Sequence, residues 1–217
     1  MQQYVPSNKI GMENNMTNTD FDIEKEIKTN SDTEKKWDEL YEKCSSCTGC
    51  ELYKTRTNLV FGDGNRTADI MFIGEAPGES EDLQGLPFVG ASGQLLDKYF
   101  DAVGLPRKSV YIANILKCRP PKNRDPLPEE EDACINNLRA QLALIKPKII
   151  VCLGRVSAKR LIKEDFRITA EHGKWFKKGS YDMCAVYHPS ALLRDVSKRE
   201  DMLKDMWEIK KKLETSN

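Results

Sequence analysis

Four short runs of almost continuously apolar residues constrain most strongly what this chain can fold into. They cover residues 70–73, 110–112, 149–153 and 183–187. A strand with one face in water alternates apolar and polar residues, whereas continuous apolar runs of this length are typical of strands covered on both faces. The runs therefore predict the inner strands of a sheet that is buried on both sides.

Helical patterns alternate with these runs. Apolar side chains recur at helical spacing over residues 91–103, 128–145, 154–162 and 198–213. Pro128 and the acidic turn after it suit the start of a helix. Because strands separated by helices pair in parallel, with the helices packed on the sheet, the order indicates an α/β fold. We predict three layers, α/β/α, around a central four-stranded parallel sheet.

The first 35 residues differ from the rest of the 217-residue chain. They are rich in Asn, Thr, Asp, Glu and Lys and hold few large apolar side chains. Such a segment cannot bury enough apolar surface to offset the entropy lost on ordering. We predict a disordered acidic and polar tail over residues 1–35 and a single domain over residues 36–217.

Composition also bears on location and partners. The 34 basic and 34 acidic residues cancel, but local clusters of charge decide phosphate binding, so a nucleic-acid partner is not excluded. No run reaches the roughly 18 apolar residues of a membrane-spanning helix. The first residues lack the apolar core of a secretory signal. We therefore expect a cytoplasmic protein without a membrane association. We also expect a monomer.

Polar segments follow three of the predicted strands. They cover residues 74–82, 114–121 and 188–190. Ligands of parallel α/β sheets bind beyond the carboxyl ends of the strands, so these segments predict one shared crevice. Lys117, Arg119 and Arg194 lie in or near these segments. Basic residues clustered in this way can bind a phosphate backbone.

Three single residues each allow two interpretations. Phe88 could plug the core or provide a stacking platform for a planar base. Asn114 could satisfy a turn, or its amide could pair with the edge of a base. His188, which follows an apolar run and precedes a proline, could be structural or functional.

The cysteines suggest a metal site, since paired disulfides are rare in reducing compartments. Cys47 and Cys50 form a C-x2-C pair, and Cys118 and Cys134 lie further along the chain. Four thiolates fit either zinc or an iron–sulfur cluster, and spacing alone does not choose between them. It also leaves open that Cys118 and Cys134 are ordinary buried thiols.

Three further cysteines complete the set of seven. Cys44 precedes Cys47 with the same spacing as the C-x2-C pair, which leaves the choice of ligands at this end ambiguous. Cys152 and Cys184 lie within predicted strands, where a thiol is most often a small core residue.

Taken together, these motifs resemble those of the family 4 uracil-DNA glycosylases, the iron–sulfur branch of the uracil-DNA glycosylase superfamily. The resemblance extends from Cys47 to the last helix, roughly four fifths of the chain. Its four motifs occur in the family's order, and they are Gly74-Glu75-Ala76-Pro77-Gly78 with Glu81-Asp82, Pro87-Phe88-Val89-Gly90, Asn114-Ile115-Leu116-Lys117-Cys118-Arg119-Pro120-Pro121, and His188-Pro189-Ser190-Ala191-Leu192-Leu193-Arg194.

The resemblance implies an enzyme that flips uracil out of single- or double-stranded DNA and hydrolyses its glycosidic bond. It implies a structural [4Fe–4S] cluster on Cys47, Cys50, Cys118 and Cys134, with Cys44 as the spare thiol. The implied uracil-binding residues are Gly74, Ala76, Glu81, Phe88 and Asn114. The implied DNA contacts are Lys117, Arg119, Ser190, Leu192, Leu193 and Arg194, with one of the two leucines wedged into the vacated stack.

The catalytic residues are hypotheses within that resemblance. His188 is the candidate donor to the departing base. The better-known branch of the superfamily has an aspartate where this chain has Ala76, so Glu75 is the candidate for orienting or activating the water. A non-enzymatic nucleic-acid-binding module stabilised by a metal or cluster is the alternative, and an electron-transfer protein is a third possibility. Only the glycosylase requires Phe88, Asn114 and His188 to meet in one pocket.

Overall fold

The structure is a computed structural model that describes residues 18–216, with side chains described from residue 31 onward. These residues form six strands and eight α-helices. The strands are β1 (Asp63–Gly64), β2 (Ile70–Gly74), β3 (Tyr111–Asn114), β4 (Ile149–Leu153), β5 (Phe176–Lys178) and β6 (Tyr181–Val186). The helices are α1 (Asn18–Ser45), α2 (Glu79–Gln84), α3 (Ala91–Ala102), α4 (Pro128–Ile145), α5 (Arg155–Leu161), α6 (Ile168–Glu171), α7 (Pro189–Arg194) and α8 (Arg199–Thr215).

The strands form one mixed sheet in the order β1-β3-β2-β4-β6-β5. The inner neighbours pair in parallel, and the two edge strands pair antiparallel. The α/β class is as predicted, and the four predicted strands are the parallel inner ones, β3, β2, β4 and β6. The antiparallel strands β1 and β5 extend the sheet to six, so it is not the four-stranded parallel sheet that was predicted. Both edge strands are short, and Phe176 is the one apolar residue in them, so neither produces an apolar run in the sequence.

Helices cover both faces of the sheet. Every residue of β2, β3 and β4 is buried, and alternate residues along them feed two separate cores. Met71 and Ile73 of β2 belong to a core that includes side chains of α4, and Ile70 and Phe72 belong to one that includes side chains of α3 and α8. This two-sided burial explains the continuous apolar runs.

Helix α1 takes in part of the segment for which composition predicts disorder. Residues 18–35 are helical here, in keeping with their Glu and Lys content, since both residues favour helices; residues 1–17 lie outside the described part. The chain divides between Lys36 and Trp37 into two units. In the second unit, the α1 residues Trp37, Leu40 and Cys44 are buried at helical spacing. The domain boundary near residue 35 stays a prediction.

Within residues 18–216, no helix combines the length and the apolar character needed to cross a bilayer.

The carboxyl ends of the parallel strands meet at one edge of the sheet. Gly74, the last residue of β2, is level with Asn114, the last residue of β3. At the ends of β4 and β6, the amide of Gly154 donates to the carbonyl of Val186 at 2.9 Å. Residues that follow the four strands are therefore neighbours.

Candidate active site

A cavity of about 560 Å³ opens at this edge of the sheet. Glu75 and His188 line it from just beyond β2 and β6, and Asn114 does so from the end of β3. Phe88 reaches the same cavity from the loop between α2 and α3, and its ring centroid lies 5.7 Å from that of His188. The structure thus brings together Phe88, Asn114 and His188, as the sequence predicts.

The Asn114 side chain is the most unusual polar group in the cavity. The residue is 2 % exposed, and its Oδ1 atom is buried without a hydrogen-bond partner. A Cβ on Gly74 would lie 2.3 Å from this oxygen and 2.7 Å from the Phe88 ring, so only glycine leaves room for both. A buried unpaired acceptor costs about 1–3 kcal/mol, which marks Oδ1 as a position for a ligand's donor.

The imidazole of His188 is held in one orientation. Its Nδ1 atom accepts from the backbone N–H of Ser190 at 3.1 Å and lies 2.8 Å from the Ser190 hydroxyl oxygen. Burial lowers the pKa of His188 to about 4, with a further contribution from the positive charge of Arg194. Because a backbone amide only donates, Nδ1 is the unprotonated nitrogen, and the neutral ring carries its proton on Nε2.

The pKa of Glu75 is shifted in the opposite direction to that of His188. Burial raises the pKa of its carboxyl group to about 7, the negative charge of Asp125 adds to this, and Arg155 opposes it. A group whose pKa lies near neutral pH is suited to accept a proton from water at that pH.

Glu81 and Ala76 also line the cavity, but Glu81 is engaged with the chain itself. Its Oε1 atom accepts from the backbone N–H groups of Val89 and Gly90, both at 2.9 Å. The carboxylate therefore fixes the loop that carries Phe88, and it forms part of the wall beside the ring.

The predicted DNA contacts fall into different environments. Arg194 is exposed at the mouth of the cavity, and Leu193 is 43 % exposed on α7. Arg119 Nη1 lies 3.3 Å from Glu79 Oε1, and its Nε donates to Asn123 Oδ1 at 2.7 Å. The Ser190 side chain faces the His188 ring.

Two of the predicted DNA contacts, Lys117 and Leu192, are buried side chains. Lys117 is 1 % exposed, and its ammonium donates to the Asn114 carbonyl at 2.9 Å and to Gln141 Oε1 at 2.6 Å. It cannot reach a phosphate, and burial lowers its pKa to about 8. Leu192 is fully buried in the core that includes α3 and α8, because adjacent residues of a helix point in different directions and Leu193 takes the exposed one.

Several residues of the cavity were not predicted from the sequence. Asp125, Arg155 and Tyr187 line it, and Arg155 Nη2 lies 2.8 Å from Asp125 Oδ2. Arg155 comes just after β4, the predicted strand whose following residues were not assigned to the crevice. The end of β4 was therefore the signal that could have located Arg155. Both charges of this ion pair act on Glu75.

A second, smaller cavity contains the cysteines. Five of them line it, Cys44, Cys47, Cys50, Cys118 and Cys134. Cys152 and Cys184 are buried in strands, as predicted.

Nitrogen donors point at three of the sulfur atoms. The backbone N–H of Gly49 donates to Cys47 Sγ at 3.4 Å, Arg56 Nη1 to Cys118 Sγ at 3.3 Å, and Asn137 Nδ2 to Cys134 Sγ at 3.9 Å. Such donors stabilise thiolates, so they suit ligands of a metal centre. In the part of the chain that the structure describes, no three Cys, His, Asp or Glu side chains are grouped closely enough to hold a single metal ion.

Comparison with known proteins agrees with this geometry. The sequence model of the "Uracil DNA glycosylase superfamily" matches residues 61–211. The chain is 46 % identical over 182 residues to the type-4 uracil-DNA glycosylase of Archaeoglobus fulgidus, covering 79 % of this chain and 90 % of that protein. It is 43 % identical to the type-4 enzyme of Sulfurisphaera tokodaii and 42 % identical to that of Thermotoga maritima, covering 80 % and 78 % of this chain and 83 % and 90 % of those proteins. The chain therefore belongs to the uracil-DNA glycosylase superfamily and, within it, to the type-4 uracil-DNA glycosylases.

Proposed function

We propose that this protein is a DNA repair enzyme that hydrolyses the N-glycosidic bond of uracil in DNA, releasing uracil and leaving an abasic site. The observation that carries the proposal is the unpaired, buried Oδ1 of Asn114 in one cavity with Phe88 and His188. Because the bond is inaccessible within the base stack, the nucleotide must first be flipped into the cavity. A cytoplasmic location and a monomeric state remain predictions from the sequence.

The activity is tested by incubating the protein with uracil-containing single-stranded DNA and then cleaving abasic sites with alkali. We expect strand cleavage at each uracil and none in matched DNA that carries cytosine or thymine. Binding of the DNA without cleavage would instead indicate the non-enzymatic module. A double-stranded substrate tested in parallel measures the strand preference.

Asn114 reads the base in this proposal. Its Oδ1 accepts from uracil N3–H, and its amide nitrogen donates to O4. Cytosine presents the inverse pattern, with an unprotonated N3 and an amino group, so both contacts would be mispaired. Phe88 stacks on the base, and Glu81 occupies the space beside C5 that the methyl group of thymine would need.

We expect Asn114→Asp to narrow the preference for uracil over cytosine by roughly 10- to 100-fold, since each mispaired buried contact costs about 1–3 kcal/mol. The carboxylate keeps an acceptor for N3–H but loses the donor to O4, and it can accept from the cytosine amino group. The measurement is single-turnover release of uracil and of cytosine. Asn136→Asp, on the exposed side of α4, is the matched control. If Asn114→Asp kept the selectivity for uracil over cytosine, Asn114 would not be the residue that reads the base.

His188 and Glu75 divide the chemistry between the base and the water. Cleavage passes through a sugar with oxocarbenium character, and uracil departs as a delocalised anion that needs a hydrogen-bond donor rather than a strong acid. The Nε2–H of neutral His188 donates to uracil O2, assisted by backbone N–H groups of the turn over residues 74–78. Glu75 orients the water and accepts its proton.

The outer part of the site holds the DNA. Leu193 fills the gap that the flipped nucleotide leaves in the stack, as apolar wedges do in other DNA-binding proteins. Arg194 and Arg119 bind phosphates, and Ser190 keeps His188 in position. These contacts are sequence-independent, so specificity comes from the pocket.

We propose that the cysteine cavity holds an iron–sulfur cluster rather than zinc, as the family resemblance implies; four thiolates are compatible with either group. Cys47, Cys50, Cys118 and Cys134 would hold the cluster, which would supply a structural link between the segment after α1 and the segment after β3. Lys117, buried beside these thiols, connects them to Asn114 through its hydrogen bond to that residue's carbonyl.

We expect Cys118→Ser to remove the visible absorption of the purified protein and its iron, because serine is a poor ligand for iron–sulfur clusters. Cys44→Ala should keep both, since Cys44 is the spare thiol of the cavity. Cys152→Ser, in the core of β4, controls for the loss of a buried thiol. Retained colour in Cys118→Ser would remove Cys118 from the ligand set, and bleaching in Cys44→Ala would add Cys44 to it.

A further inference from the structure

Phe88 has an unusual backbone conformation. Its φ angle is 52°, in the left-handed region, although it is a bulky residue that is only 6 % exposed. L-residues other than glycine reach this region only at a steric cost, and a bulky side chain stays there only when the surroundings impose it. The loop that presents the ring therefore needs groups that hold it.

Arg107 provides hydrogen bonds on one side of this loop. Its Nη2 atom donates to the Pro87 carbonyl at 2.6 Å, and Nη1 donates to the Phe88 carbonyl at 3.2 Å. The planar guanidinium thus spans two consecutive carbonyl groups, which the single ammonium of lysine cannot do with the same geometry.

Glu81 and Gly93 act on the other side. Glu81 accepts from the backbone N–H groups that directly follow Phe88. A Cβ on Gly93, in the first turn of α3, would lie 1.9 Å from the Phe88 carbonyl oxygen, so glycine allows the helix to approach the loop. Together the three groups hold the peptides on both sides of Phe88.

Two acidic residues fix Arg107 itself. Its Nη1 lies 3.0 Å from Asp97 Oδ1, and its Nε lies 3.9 Å from Asp63 Oδ2. Arg107 is absent from the residues that line the substrate cavity, and its side chain is 26 % exposed. Any effect of Arg107 on uracil must therefore pass through the loop that it holds.

We propose that Arg107 is a positioning residue that holds Phe88 in its left-handed conformation and so keeps the ring in place to stack on the flipped uracil. This inference rests on the proposed function. Arg107 contributes to base binding through Phe88 alone, without touching the base or the DNA.

A double-mutant cycle tests the proposal. Single-turnover uracil release and inhibition by free uracil are measured for the unaltered protein, Arg107→Gln, Phe88→Ala and the double variant. We expect Arg107→Gln to slow release and weaken uracil binding about tenfold, within the range for losing part of a base–aromatic stack. In the Phe88→Ala background the same change should cost less than about twofold, because coupled residues are not additive. Equal costs in both backgrounds would overturn the proposal.

Two further variants separate positioning from charge and from general stability. Arg107→Lys keeps a positive charge beside Asp97 but cannot bridge both carbonyl groups, so we expect it to lose nearly as much as Arg107→Gln; full activity in Arg107→Lys contradicts the proposal. Arg160→Gln is the matched control, since Arg160 has 28 % side-chain exposure and also contacts two acidic residues, Glu131 and Asp132. It should unfold at a temperature similar to Arg107→Gln but release uracil normally.

Uracil release by the unaltered protein separates failure of the proposed function from failure of the role of Arg107. If it releases no uracil, the proposed function fails. If it releases uracil and the cycle is additive, only the role of Arg107 fails.

Discussion

Glu75→Gln is expected to slow single-turnover uracil release about 100- to 10,000-fold, the range for removing a general base. Glutamine keeps the size of the side chain but cannot accept a proton from water. Affinity for uracil-containing DNA should stay within about twofold, since the change leaves the stacking and base-reading contacts intact. A variant with a nearly normal rate would exclude Glu75 from the water step.

The control for this variant is Glu171→Gln. Glu171 is partly exposed, as Glu75 is, and it pairs with Lys163, but it does not line the substrate cavity. Its loss should affect stability and leave uracil release unchanged.

The pH dependence gives an independent check on Glu75. With a pKa of about 7, the carboxylate is the minor form below that pH. The single-turnover rate should therefore fall about tenfold for each pH unit below 7, as expected for one required deprotonated group. Glu75→Gln should show no such slope. His188, with a pKa of about 4, stays neutral in this range and adds no inflection.

The raised pKa also predicts an effect on stability. An unfolded glutamate titrates near pH 4.3, about 3 units lower than Glu75 in the fold, so between these values the folded state binds more protons than the unfolded state. Stability that depends on Glu75 is thus present at low pH and lost as the pH rises through this window. Glu75→Gln should therefore unfold at a higher temperature than the unaltered protein at pH 8, which calorimetry can measure.

His188→Ala is expected to slow uracil release about 100- to 1000-fold, the cost of removing one preorganised donor to a developing anion. The effect should be on the chemical step, because in the proposed mechanism His188 donates to the base atom where charge develops. His188→Gln should lose less than His188→Ala, since its amide group can still donate. Equal losses in the two variants would contradict the role of His188 as a donor.

The other histidine provides the control. His172 pairs with Asp205 at 2.6 Å, and its ring centroid lies 4.6 Å from that of Tyr187. We expect His172→Ala to lower the unfolding temperature through loss of this pair and to retain uracil release. The comparison separates catalysis from the general effect of removing a partly buried imidazole.

The sequence predicts the inner strands, and the edge of the sheet at which the site lies, for a simple reason. Burial on both faces requires continuous apolar runs, and the carboxyl ends of parallel strands must meet, so Asn114 and His188 could be placed together. The edge strands β1 and β5 bury little and leave no such pattern. The order of the strands and the helical part of the predicted tail likewise required the structure.

Burial of polar side chains is where the sequence misleads. Lys117 lies in a basic motif that reads as a phosphate-binding surface, yet it is buried beside the cysteines and bonded to Asn114 and Gln141. Leu192 and Leu193 are chemically alike, and only the orientation of α7 decides that the second is exposed. Residue type does not specify which way a side chain points, because packing against distant segments sets that direction.

By itself, the sequence determined the α/β class, the edge of the sheet that holds the site, and the identities of the ring, amide and imidazole that meet there. The tertiary structure alone decided the proton position on His188, the near-neutral pKa of Glu75 and the role of Arg107. These properties arise from desolvation and from contacts between segments far apart in the chain, such as Glu75 with Asp125 and Arg155, or Arg107 with Phe88. Local patterning encodes which residues are buried in regular elements, whereas the charges and donors around a given atom exist only after the chain has folded.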